Sequence, residues 1–323
     1  MDLTIGKLRR IQQCATPDGF FVIMALDHRN NLRRALNPTN PDSIGYGEMV
    51  AFKNEVVRAL GPVSSAVLLD PEFGAAQAVA SGALPGRTGL MVAVESTGYT
   101  DEPTARRSEV LSGWSVEKIA RMGASAVKLL LYYHPEARNA AEQEALVDEV
   151  AAACHRYDMP FFLEPLSFAT DRKIKKLSSA ERRDVVLETA RRLSPRGIDV
   201  LKAEFPLDVA EEPDEGVWTA ACRELTAASE VPWVLLSGGV SFDTFARQTE
   251  IACRAGASGV MAGRAVWQEA VELRNSEQSD FLYKGAVDRM VELGDIIAEY
   301  GTSYTQYYTT ATDTVGETWY SEY

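Results

Sequence analysis

A lysine that follows a short apolar run is the most chemically suggestive residue in this sequence. In Asp199-Val-Leu-Lys-Ala-Glu-Phe-Pro206, Lys202 comes after residues that read as a core strand. An amine with the ordinary lysine pKa of about 10.4 is almost fully protonated at neutral pH and is no nucleophile. Burial and a second nearby cation both lower that value, and Lys128 is the expected second cation. A freed lone pair can attack a ketone and form an imine. The protonated imine then draws electrons from the neighbouring carbon, which permits C–C cleavage. The alternative is that Lys202 pairs with Glu204 or Glu164 and only closes a mouth of charges.

Glu164 ends the apolar run Phe-Phe-Leu-Glu-Pro-Leu, where a proline then stops strand pairing. Partial desolvation is expected to raise its pKa, so that it trades protons near neutrality and takes one from a substrate hydroxyl. Its alternative role is a salt bridge to Lys128 or Lys202. Other charges also end apolar runs, namely Asp27, Asp70 and Glu95. Ser237, Gly238 and Gly239 close one late run, and Gly263 and Arg264 close the next. Glycines let backbone amides approach an oxyanion, and the guanidinium adds a planar positive fork. This pair of loops is the expected phosphate site, and Arg29 joins it as a substrate- or phosphate-binding candidate. There are three histidines, His28, His134 and His155. The first two could face the same mouth, whereas His155 falls in a helical pattern. A zinc site usually needs several imidazoles. No metal and no cofactor are therefore expected.

Positioning these residues requires a regular frame. Eight β-rich runs occur near 21–26, 65–69, 90–94, 126–132, 160–163, 199–201, 233–236 and 259–261. Helical patterns lie between them at 47–60, 115–122, 140–157, 179–193, 214–229 and 242–255, with a short Ala-rich connection at 74–81. Ser115 and Ser179 are plausible N-caps, each lacking the acid three residues on that completes a capping box. The runs are near-continuously apolar, as in strands covered on both faces. Repeated βα units imply a parallel sheet, and about 250 residues suit a closed barrel. An open doubly wound sheet is the competitor, but its usual Gly-rich first turn is replaced here by Asp27-His-Arg-Asn30. The expected fold is an α/β (β/α)₈ TIM barrel. It forms a single domain over 1–323, with a barrel core at about 20–270 and an extension at 271–323. The Thr- and Tyr-rich tail from Thr302 to Tyr323 could serve as a lid, a barrel cover or a subunit contact.

Composition narrows the function classes. The net charge of −13 disfavours nucleic-acid binding and makes any anion site a local exception. The four cysteines, Cys14, Cys154, Cys222 and Cys253, are widely spaced and read as reduced core thiols. No apolar run reaches transmembrane length and the N-terminus has no signal-like core, so a cytoplasmic protein without membrane association is expected. A homo-oligomer is left open.

Several stretches together resemble a family. They are Ala25-Leu-Asp-His-Arg-Asn, Val127-Lys-Leu-Leu, Phe162-Leu-Glu-Pro, Leu201-Lys-Ala-Glu-Phe-Pro, Leu236-Ser-Gly-Gly-Val and Gly259-Val-Met-Ala-Gly-Arg-Ala-Val-Trp. They are similar to the class I tagatose 1,6-bisphosphate aldolases, from the first strand to about Trp267. The resemblance implies a (β/α)₈ barrel that splits a phosphosugar, tagatose 1,6-bisphosphate, into dihydroxyacetone phosphate and glyceraldehyde 3-phosphate. It places the Schiff base on Lys202 and acid/base chemistry on Glu164, with supporting roles for Asp27 and Lys128. It gives phosphate contacts to Ser237, Gly239, Gly263 and Arg264. The family commonly reads Asp-Gln-Arg-Gly after the first strand, where this chain has His28 and Asn30. The resemblance implies that this loop lies near the distal end of the substrate. A sulfofructose-phosphate aldolase with the same lysine chemistry is therefore the first alternative. A metal-dependent lyase and a non-catalytic phosphosugar-binding barrel are the others.

Overall fold

The computed structural model describes residues 3–308 and 315–323. Eight strands pair in parallel and in chain order: β1 (Phe21–Leu26), β2 (Ala66–Leu69), β3 (Gly89–Ala93), β4 (Ala126–Tyr132), β5 (Phe161–Leu166), β6 (Val200–Ala203), β7 (Trp233–Leu236) and β8 (Gly259–Ala262). β8 returns to β1, with Phe21 beside Gly259, and closes the barrel. Closure excludes the open doubly wound sheet. Gly259 is required at this seam. Its φ is +140°, and a Cβ there would lie 2.0 Å from the Phe21 carbonyl oxygen.

Three strands match the sequence expectation to the residue, and the others shift by one to three positions at their ends. The largest gain is β5, which runs on through Pro165 to Leu166. The helices in chain order begin with α1 (Ile5–Cys14), α2 (Asn30–Leu36), α3 (Tyr46–Leu60), α4 (Ala75–Ala80), α5 (Val116–Arg121) and α6 (Ala140–Arg156). They continue with α7 (Ser179–Leu193), α8 (Glu215–Ala228), α9 (Phe242–Arg254), α10 (Arg264–Trp267), α11 (Asn275–Asp280), α12 (Val287–Tyr300) and α13 (Trp319–Glu322). Ser115 caps α5 as expected, accepting from the Lys118 amide. The cap of α7 is Ser178 rather than Ser179, and it forms a complete box with Glu181. Starting one residue earlier brings the acid to the third helical position, where it accepts from the Ser178 amide at 2.9 Å. The four cysteines are buried and unbonded to one another.

α12, from the C-terminal extension, packs on α9, α3 and β1 and fills the outer ring where the barrel closes. The opposite end of the barrel is plugged by α1 and the start of the tail. Lys7 on α1 holds Asp199 at 2.8 and 3.0 Å, and Tyr304 stacks on Phe21 with ring centroids 5.5 Å apart. Tyr308 is buried in the same layer and donates its hydroxyl to the Asp199 carbonyl. Tyr323 accepts from the Gly6 amide at 2.9 Å and donates to Asp158 at 2.8 Å. The described parts of the tail thus cover the N-terminal end of the barrel rather than the C-terminal ends of its strands. Residues 309–314, which belong to the same tail, lie outside the described residues. Among the described residues, no helix is long and apolar enough to cross a membrane.

Candidate active site

Successive side chains of a strand point to opposite faces, so alternate residues face the barrel axis. On β5 these are Phe162 and Glu164, and on β6 Val200 and Lys202. The lower pair joins an apolar plug with Phe21, Leu68 and Met261. The upper pair opens on a cavity of about 660 Å³ at the C-terminal ends of the strands. Four strands therefore carry a charge just above a shared apolar floor. Lys128 belongs to β4, Glu164 to β5 and Lys202 to β6, while Asp27 directly follows β1.

Glu164 joins the two lysines. One carboxylate oxygen lies 2.7 Å from Lys202 Nζ and the other 2.8 Å from Lys128 Nζ. Lys128 also meets Asp27 at 2.6 Å and Glu95 at 2.7 Å. It is fully buried and does not line the cavity, whereas Lys202 is 3% exposed and does. Burial alone would push the Lys128 ammonium down. Asp27, Glu164 and Glu95 outweigh it and hold the pKa well above the ordinary lysine value. Lys128 is thus a permanent cation whose charge three carboxylates balance, not the bare second cation that the sequence suggested. Lys202 is the amine that a ligand can reach.

The expected upward shift of Glu164 is also corrected. Burial does raise its pKa, but Lys128 and Lys202 outweigh burial and hold the carboxyl below its usual range. Asp27 behaves alike, with burial overcome by the charges of Lys128 and Lys202. Both groups are therefore anionic at neutral pH. Sequence named Lys128 and Lys202 as alternative partners of Glu164 but could not show that both pair with it at once.

The glycine-bearing loops after β7 and β8 line the same cavity through Ser237, Gly238, Gly263 and Arg264. Gly238 and Gly239 both have positive φ, and a Cβ on Gly239 would come within 3.0 Å of the Arg264 guanidinium carbon. The glycine thus makes room for the guanidinium over the loop. Among the described residues, Arg264 has no carboxylate within 4.0 Å, although it lines the cavity. Ser237 accepts from the Gly263 amide at 3.2 Å, and among the described residues its own hydroxyl proton has no acceptor. Arg29 is differently placed. It lines the cavity, but its nitrogens donate to Glu72 and to the Glu95 carbonyl, each at 2.7 Å.

The family model described as DeoC/LacD family aldolase matches residues 21–269, from the first barrel strand to just beyond α10. This chain belongs to the DeoC/LacD aldolase family. The aldolase is 34% identical over 327 residues to tagatose 1,6-diphosphate aldolase of Streptococcus agalactiae, covering 94% of this chain and 99% of that relative. The relative of the same description from Lactococcus lactis is 31% identical over 328 residues, with the same coverage of both chains. In architecture the aldolase is similar to the fructose-bisphosphate aldolase of Plasmodium falciparum, with a TM-score of 0.72 and 14% identity over 94% of this chain and 98% of that one.

Some pairings around the aldolase's mouth escaped the sequence. Glu204 accepts from Arg182 at 3.0 Å and from the Ser167 amide at 2.7 Å, which ties the loops after β5 and β6 together. Lys53, on the inner face of α3, is fully buried against Asp70 and the Leu26 carbonyl. Asp70 is therefore part of a buried pair beside the site rather than a cavity group. A lysine amid Met49, Phe52 and Val56 on one helix face was the available signal for that pair. Of the histidines, His28 lines the cavity. His134 does not: it is buried near Phe168, and its Nδ1 accepts from the Glu136 amide at 3.1 Å. His155 is exposed on α6, as expected.

Proposed function

We propose that the aldolase cleaves tagatose 1,6-bisphosphate through a Schiff base on Lys202. The carrying observation is that, of the two lysines flanking Glu164, only Lys202 opens on the cavity. The substrate class is that of the curated relatives, which are described as tagatose 1,6-diphosphate aldolases.

The geometry supports a closed proton cycle. Lys202 passes a proton to Glu164 across 2.7 Å, and its lone pair adds to the ketone carbon. Glu164 returns the proton to the carbinolamine hydroxyl, which leaves as water and yields the iminium. The carboxylate, anionic again, takes the C4 hydroxyl proton. The C3–C4 bond breaks, its electrons enter the iminium, and the aldehyde departs. The enamine left on Lys202 gains a proton at C3, and water hydrolyses the imine. Lys128 steadies the carboxylates through these changes without leaving its charged form.

Ser237, Gly238, Gly239, Gly263 and Arg264 hold the ketone-side phosphate in this scheme, and Arg29 shapes the β1 side through Glu72 and Glu95. Equal binding of the phosphate in ground and transition states lowers KM without raising kcat. Arg264→Ala is therefore expected to raise KM about 10- to 100-fold, the scale of a lost charged hydrogen bond, with a much smaller change in kcat. Steady-state kinetics check this, and a loss confined to kcat would reject the assignment.

We take 1–323 as one functional domain, with its core at about 20–270, because the extension supplies a ring helix and a barrel plug. The direct test of the mechanism is borohydride reduction in the presence of dihydroxyacetone phosphate, followed by peptide mass mapping. The expected adduct is on Lys202, with Lys128 unmodified. An active enzyme labelled elsewhere, or not at all, would refute the assignment. Parallel assays with tagatose 1,6-bisphosphate and sulfofructose 1-phosphate read the distal group.

A further inference from the structure

His28 lines the cavity and carries a polar group that the described residues leave unused. Its Nδ1 is buried and has no hydrogen-bond partner among the described residues, and the nearest carboxylate oxygen, on Asp27, is 4.0 Å away. A buried polar atom left unpaired costs free energy, and such atoms often mark a place where a ligand completes the set. The ring is fixed from behind. Trp267 packs against it edge-on with centroids 5.3 Å apart, and the Trp267 indole is itself anchored to the Ala25 carbonyl at 3.0 Å.

The free edge of the ring faces the anion loops. A Cβ placed on Gly263 would lie 3.4 Å from His28 Cε1 and 3.5 Å from the Ser237 hydroxyl. Cε1 sits between the two ring nitrogens, so the nitrogen-bearing edge and the Ser237 hydroxyl flank the same glycine. The imidazole is thus a neighbour of the phosphate loops as well as of Asp27, not of the distal end of the substrate where the sequence placed its loop. Its charged surroundings are Asp27 beside it, Arg264 from α10, Lys53 from α3 and Lys202 from β6. Burial lowers its pKa, Asp27 opposes that, and the three cations add to it, leaving the imidazole neutral near pH 7 with a value of about 4.

We propose that His28 forms a further wall of the phosphate cradle and takes up a proton from solvent as the phosphate dianion seats. The inference rests on the phosphate assignment above but not on the Schiff base. A dianion placed among Arg264 and His28 reverses the balance that keeps the ring neutral, because the excess positive charge around it is then matched. Before binding, a charged imidazole would add one more cation to an already positive corner. After binding, it supplies a charge-assisted hydrogen bond. Linkage fixes the sign. The complex has the higher imidazole pKa, so affinity for the dianion falls as pH rises between the free and bound values. The fall approaches about tenfold per pH unit where uptake is one full proton.

Glycerol 3-phosphate is a suitable probe because it has the phosphate and no carbonyl. The chain has only three histidines, so nitrogen-15 spectra of the imidazoles are simple, and His28→Gln identifies the His28 resonances. Saturation with glycerol 3-phosphate at pH 7 is expected to convert the His28 nitrogens from the neutral to the imidazolium pattern. Calorimetry in buffers of different ionisation enthalpy should show uptake of about half a proton or more. In His28→Gln the uptake should vanish, and affinity between pH 7 and 8 should become flat. A His28 ring that stays neutral in the saturated complex overturns the proposal, as does undiminished uptake in His28→Gln or failure of the probe to bind. If uptake occurs but borohydride labels no lysine, the imine mechanism falls and the role of His28 stands.

Discussion

Lys202→Met is expected to lower kcat for aldol cleavage by about 10⁵-fold or more, the scale seen when a covalent nucleophile is removed. The side chain is 3% exposed, and methionine fills nearly the same volume without the amine. Loss of packing is therefore a minor contribution. Glu164 loses one cation 2.7 Å away but keeps Lys128 at 2.8 Å, so no carboxylate is left buried and unpaired. The variant should fold with a stability close to that of the parent. Arg264 and the loops after β7 and β8 are unaltered, so glycerol 3-phosphate should still bind. This combination of intact binding, intact fold and abolished turnover separates a nucleophile from a structural lysine. Single-turnover assays together with thermal unfolding provide the measurement. Retention of more than about 1% of the parental kcat would show that the imine forms elsewhere or not at all.

The residues that announced the site did so because a parallel barrel allows charge only at one place along each strand. Asp27, Glu164 and Lys202 each end a run of apolar residues, and the mouth is where such ends converge. The period-2 alternation then puts Lys128, Glu164 and Lys202 on the inner face without further information. What sequence lacked was the geometry of the pairings. Glu164 could be placed near both lysines, but the direction of its titration depends on distances of 2.7 and 2.8 Å set by the closure of the barrel. The pairing of Lys53 with Asp70 crosses from a helix to a strand end, and no local spacing encodes it. The same holds for the tail. Its aromatic composition signals burial, but only the folded barrel shows that Tyr304 and Tyr308 enter from the N-terminal side. The Ser178 cap was legible in principle, since Glu181 stands three residues on, and the error came from choosing between two adjacent serines.

Lys128→Met should produce the largest change in stability, and its dependence on pH should be opposite in sign to that of the parent. Lys128 is fully buried and meets carboxylates of Asp27, Glu95 and Glu164 at 2.6, 2.7 and 2.8 Å. Removing one member of a buried ion pair typically costs about 3–5 kcal/mol, because the remaining charge is left without compensation. Here three anions face one another when the ammonium goes, and among the described residues only Glu164 keeps a lysine or arginine nitrogen within 4.0 Å, that of Lys202 at 2.7 Å. In the parent, Asp27 and Glu164 have pKa values lowered by folding. Their contribution is complete above the ordinary carboxylate range near pH 4 and is lost as pH falls below it. In the variant, mutual repulsion raises those carboxyl groups instead. Protonation then relieves the repulsion, and stability should increase as pH drops from about 7 to 5. Urea midpoints measured between pH 5 and 8 would show a nearly flat line for the parent and a falling one for the variant. Turnover should also fall at neutral pH, because repulsion from Asp27 and Glu95 enlarges the share of Glu164 that holds a proton, and that share cannot accept one from the C4 hydroxyl. The two effects share a cause, so lowering the pH should restore the fold of the variant without restoring its activity. A variant as stable as the parent at pH 7, with the same flat profile, would mean that the three carboxylates are held apart by something other than the lysine between them.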